Sequence, residues 1–85
     1  VSLYNERIDV RSTNGGHPAL FSWRGAVYRV RRVIGTWDGG GPASPGTTGV
    51  RLVRVAAESE QGRSNIADIT LDTATNDWTI RRLWD

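Results

Sequence analysis

Apolar residues in this chain recur at every second position, and nowhere at the i, i+3, i+4 spacing that three turns of amphipathic helix require. A period of two is the signature of strands with one buried face, so helix is excluded as a major component. The cleanest case is 65–72, where Ala67, Ile69 and Leu71 alternate with Asp68, Thr70 and Asp72. In 50–58, Val53, Val55 and Ala57 point inward, and Arg51 and Arg54 fall on opposite faces. The stretch Phe21–Trp37, FSWRGAVYRVRRVIGTW, reads as a β-hairpin turning at Gly25, with Phe21, Trp23 and Tyr28 shaped for a pleated surface and a strongly basic second arm. With 5–12 and 78–84 added, the chain is all-β, about six antiparallel strands in a meander or small half-open barrel.

The period slips by one residue twice. Arg31-Arg32 precedes Val33 and Ile34, and Arg81-Arg82 precedes Leu83 and Trp84. A slip of one residue sends every later side chain to the other face unless an extra residue is absorbed, so both arginine pairs mark expected β-bulges, which bend a strand as a curled sheet demands. Between the strands lie Asn14-Gly15-Gly16-His17-Pro18, Glu60–Arg63 and Ala74–Asp77, all rich in turn formers. Residues 38–49, DGGGPASPGTTG, hold five glycines and two prolines and are expected to form a flexible loop.

At 85 residues the chain is a single domain, 1–85, near the size at which burial only just outweighs chain entropy. It has no cysteine, which excludes disulfides and thiolate metal sites and leaves aromatic and branched side chains, four tryptophans among them, to make the core. Trp23, Trp78 and Tyr28 are assigned to it. No run of about 18 apolar residues is present, and VSLYNERIDV lacks the basic-then-apolar form of a signal peptide, so a soluble cytoplasmic protein without a membrane partner is the expectation.

Catalytic and metal-binding constellations do not assemble. The single histidine, His17, lies in a Gly-Pro loop, a poor base for any serine and a zinc ligand only if carboxylates came to it from distant strands. Gly39–Gly41 is followed by no GK[ST] and no helix, so it is not a phosphate-binding loop. Asp68, Asp72 and Asp77 resemble a hard-cation site, but cross-strand pairing of Asp68 with Arg81 is the simpler account. No enzyme, cofactor or metal is expected.

All eleven basic residues are arginine, and they are unevenly placed. Residues 1–54 hold eight arginines against three acids, a net of +5, and residues 55–85 hold three against six, a net of −3. Arg24, Arg29, Arg31, Arg32, Arg51 and Arg54, with Trp37 as a stacking surface, are the candidate nucleic-acid-binding residues, because guanidinium groups arrayed on a sheet beside an indole suit phosphates and unstacked bases. The alternative is a protein-interaction module, docking a repair protein or a second copy through an exposed strand edge or the Trp37 and Trp84 surface. Oligomeric state does not follow from either reading.

The pattern FxWRGxxYxVRRVIGxW at 21–37, followed in order by VRLVRVAAE, DITLD and NDWTIRRLWD, resembles a family of small actinobacterial proteins of uncharacterised function. Its members also form the tail of Y-family DNA polymerase homologues, so the resemblance implies an accessory module in DNA repair or translesion synthesis that binds nucleic acid or a partner protein. It transfers no catalytic residue. Two departures stand out: the segment after Trp37 lacks the further tryptophans common in that family, and Val53 replaces an aromatic residue.

Overall fold

The computed structural model describes residues 2–38 and 49–84. They form seven strands and no helix: β1 (Ser2–Arg7), β2 (Asp9–Asn14), β3 (His17–Trp23), β4 (Ala26–Asp38), β5 (Val50–Ser59), β6 (Ser64–Asp72) and β7 (Asp77–Trp84). All pair antiparallel in one sheet of order β1-β7-β6-β5-β4-β3-β2. Six strands are expected from the sequence; the seventh arises because the segment at 5–12 is divided at Ile8. That single residue joins the two outermost strands, so chain connectivity draws opposite edges of the sheet together and curls it into a half-barrel. The Ile8 amide donates to the Trp78 carbonyl at 3.0 Å, and its side chain is buried at the seam.

Turn chemistry sets the registers. Trp23 pairs with Ala26 across Arg24-Gly25, and Asn14 pairs with His17 across Gly15-Gly16. All four loop residues have positive φ, with Arg24 at 51° and Gly25 at 76°, so both loops are two-residue turns whose twist matches that of the strands. In the β6-β7 turn the Asp72 carboxylate accepts from the Ala74 amide at 2.9 Å. Both arginine pairs do sit at bulges: Arg31 is the extra residue between Val30 and Arg32 in the β4-β5 ladder, and Arg81 is the extra residue opposite the Asp68-Ile69 step. A second irregularity in the β4-β5 ladder, between Val33 and Gly35, and those in the β1-β7 and β2-β3 ladders have no counterpart in the sequence reading.

Inside the curl, Phe21 and Trp23 from β3, Val53, Val55 and Ala57 from β5, Ala67 and Ile69 from β6, and Ile80 from β7 form the core, joined by Ile8. Tyr28 and Trp78 pack against it half-buried. The rings of Phe21 and Tyr28 stack at 5.2 Å, and Tyr4 meets Trp23 edge-on at 4.9 Å, which fastens β1 to the far side of the sheet. Such offset and edge contacts add to area burial because they satisfy the ring quadrupoles. Among the described residues no helix is long and apolar enough to cross a membrane. The loop expected at 38–49 falls almost wholly outside the described residues; Asp38 itself ends β4, and Gly49 lies in a turn.

Candidate nucleic-acid interface

In an antiparallel ladder directly opposed residues share a face, so the register assigns every side chain to the core or to the outer surface. Val53 and Val55 face the core. Arg54 therefore faces outward, opposite Gly35 on β4 and Asp68 on β6, and Asp68 in turn lies opposite Arg82 on β7. One step along, Arg32, Ala56, Ile66 and Trp84 form the next outer row; on the other side Trp37, Leu52, Thr70 and Thr79 form another.

The centre of this outer face is an ion pair covered by indoles. Arg54 donates from Nε to Asp68 Oδ1 at 2.8 Å and from a terminal nitrogen to Oδ2 at 3.3 Å. Asp68 is 2% exposed although it points away from the core. The guanidinium carbon of Arg54 lies 5.0 Å from the Trp37 ring centre and 4.7 Å from that of Trp84, and Arg82 approaches Trp84 at 5.6 Å. The far edge of the Trp37 indole lies over Gly35, where even a methyl group would come within 2.9 Å of it. The hydrogen bond to Asp68 raises the Arg54 pKa, outweighing the opposing effect of burial, so its charge is permanent. The expected pairing of Asp68 with Arg81 is corrected here: the bulge moves Arg81 aside, where it donates to Asn5 at 3.1 Å, and Arg54 takes the carboxylate.

The structure divides the six candidate arginines into three groups. Arg29, Arg31 and Arg32 lie together on β4, all exposed, and among the described residues no carboxylate comes within ion-pair distance of any of them. Arg29 and Arg32 share the outer face with Arg54 and Trp84. Arg54 is the fixed centre just described. Arg24 and Arg51 belong elsewhere. Arg51 faces the core side at the far end of β5, 3.4 Å from Asp38.

Arg24 occupies the β3-β4 turn at the opposite end, where its side chain forks onto Glu6 and lies 5.0 Å from the ring centres of both Tyr4 and Trp23. Glu6 also accepts from the Trp23 indole at 2.9 Å. The bond from Arg24 and then that from Trp23 hold the Glu6 pKa down, from 4.5 to about 2. This cluster closes the barrel seam and has no free cation to offer a ligand.

Trp37 is half-buried and engaged by Gly35 and Arg54, so it presents less than a full face. Arg82 was missed by the sequence reading and completes the basic outer face; the signal was available in the bulge, which returns Arg82 to the face of Asp68. The two halves of opposite net charge are interleaved by the sheet, as in Arg54 with Asp68 and Arg7 with Asp77 at 2.7 Å. Among the described residues no group of three or more His, Cys, Asp and Glu side chains could hold a metal ion, and the Asp68, Asp72 and Asp77 set is not one.

The model of one family, described as a domain of unknown function (DUF6504), matches residues 1–85. No curated protein and no solved structure matches the chain.

Proposed function

We propose that this chain, a member of the DUF6504 family, is a non-enzymatic module that binds nucleic acid on the outer face of its sheet, in the DNA repair or translesion setting that its sequence resemblance implies. The observation that carries the reading is the row Arg29, Arg31 and Arg32: three exposed guanidinium groups on one strand, none within ion-pair distance of a carboxylate among the described residues although Glu58 stands opposite Arg29, beside a tryptophan surface whose own cation is fixed. Arginines paired within the protein gain little from a phosphate. Arginines left unpaired repel one another and gain most, because each displaces a counterion from the nucleic acid. Trp84, and the free part of Trp37, lie where an unstacked base would meet an indole.

Labelled single-stranded DNA, duplex DNA and RNA, titrated at low and near-physiological salt with anisotropy and tryptophan fluorescence as readouts, test the reading. Saturable binding with indole quenching is expected. Replacing both Arg29 and Arg32 by alanine should leave the fold intact and lower the slope of log K against log salt by about 1.4 on a single strand. Flat titrations, or a double variant that binds with an unchanged slope, remove the proposal.

A further inference from the structure

β4 is longer than its neighbour on one side. Its last partner on β3 is Leu20, opposite Arg29, whereas β5 accompanies it as far as Asp38. The β3 ladder stops for a local reason: two residues before Leu20 stands the buried Pro18, which has no amide hydrogen, and the β4 residue that would face it is the bulged Arg31. From Val30 to Asp38, β4 thus keeps one edge with no strand beside it among the described residues. This edge is apolar at its middle. Of the three exposed large hydrophobic residues among the described ones, Val33 and Ile34 are both on it. Sheets normally shorten, charge or cover such an edge, because it is a template for another strand.

The faces along the edge restrict what can pair with it. Arg32, Gly35 and Trp37 face outward, opposite Ala56, Arg54 and Leu52; Val33, Thr36 and Asp38 face the core side, opposite Val55, Val53 and Arg51. Suppose a second copy of the same edge runs antiparallel with Ile34 of one chain beside Gly35 of the other. Arg32 then meets Trp37, Val33 meets Thr36 and Arg31 meets Asp38, each pair occurring twice, and every assigned pair matches in face. Sliding either way by one residue sets Arg32 against Thr36 or Asp38, from the wrong face. The bulge at Ile34 makes the match possible, since without it residues whose numbers differ by an odd amount could not share a face.

The charges agree as well: Arg31 has no acid among the described residues, and Asp38, 90% exposed despite its contact with Arg51, is free to reach it. Arg32 over Trp37 is a cation–π pair.

We propose that two copies of the chain associate through the free edge of β4 in this register. The two sheets become one, and their outer faces lie on the same side. The contact engages eight residues a side, against the roughly 20–30 of a stable interface, so the dimer is reversible and appears as concentration rises. It draws on Arg31, Arg32 and Trp37, which the proposed nucleic-acid face also uses, but it is tested without any nucleic acid.

Sedimentation velocity from micromolar to millimolar protein should show the wild-type mass climbing from monomer towards dimer. Asp38→Arg places arginine opposite Arg31, and Arg31→Asp places a carboxylate opposite Asp38, so each variant alone should remain monomeric over the same range. Mixed in equal amounts, the two variants restore both opposite-charge pairs and should associate as the wild type does, with circular dichroism confirming that all three proteins are folded. A wild type that stays monomeric, a single charge reversal that leaves association unchanged, or a mixture that fails to associate would each overturn the proposal.

Discussion

Replacing Arg54 by alanine tests whether the outer face is built as described. Asp68 has a side chain 3% exposed, and both of its oxygens accept from Arg54. Without the guanidinium a carboxylate is left desolvated and unpaired, a change that costs about 3–5 kcal/mol. The two indoles also lose their shared cation, worth about 0.5–1 kcal/mol for a partly exposed contact. For a domain of this size each kilocalorie lowers the midpoint by about 4–8 °C, so Tm should fall by at least about 12 °C. Arg82, directly opposite Asp68, is placed to relieve the carboxylate, so the full cost is read by adding Arg82→Ala. The assay is thermal unfolding followed by circular dichroism, with tryptophan emission recorded alongside. Converting both partners to apolar residues, Arg54→Met with Asp68→Leu, removes the buried charge and should recover most of the loss. A cost of no more than about 1 kcal/mol, the range of exposed ion pairs, for Arg54→Ala in the Arg82→Ala background would refute the reasoning.

Gly35→Ala should push the Trp37 indole off the strand, because the added methyl lies 2.9 Å from the ring's far edge. That edge can swing outward, so stability should fall by under about 1.5 kcal/mol while the emission of Trp37, read as the difference from a Trp37→Phe protein, shifts to the red. Glu6→Gln tests the seam. The Glu6 pKa is lowered from 4.5 to about 2, so its contribution is complete above the ordinary carboxylate range and is lost as pH falls towards 2. Wild type and Glu6→Gln should therefore differ in Tm at pH 5 and converge near pH 2; a constant gap across that interval would show that the carboxylate charge is not what holds Arg24. At the β3-β4 turn, Gly25→Val places a β-branched residue at a φ of 76° and should cost more than Gly25→Asn in the same unfolding assay, with equal costs counting against the turn assignment.

Strands, turns and both arginine bulges were legible because each is a local signal. A side-chain period of two, a glycine where φ must be positive and a slip of one residue can all be read within a window of ten. The division of the first strand at Ile8 was not legible. Glu6, Ile8 and Val10 alternate straight through it, and the break lies where pairing passes from β7, which the Ile8 amide still reaches at Trp78 seventy residues away in sequence, to β3 at Asp9.

The same contrast separates the arginines. In VRLVRVAAE the alternation correctly sends Arg51 and Arg54 to opposite faces, but it cannot say that the outer position of Arg54 is covered. Covering it takes Trp37 from β4, Trp84 from β7 and Asp68 from β6, which meet only once the sheet has formed. Arg24 shows the converse: it reads as an exposed hairpin cation, yet the curl delivers Glu6 and Tyr4 to it from β1 and takes it out of any binding surface. Arginine content alone overstated the interface, and pairing corrects it. The run left without an ion pair among the described residues is Arg29–Arg32, in which Arg29 still lies opposite Leu20 of β3 and Arg31 and Arg32 lie beyond it. Arg31 and Arg32 fall in the stretch by which β4 outruns β3, so grafting a partner strand onto 30–38 should suppress self-association first and alter the proposed phosphate binding only where it reaches Arg31 and Arg32.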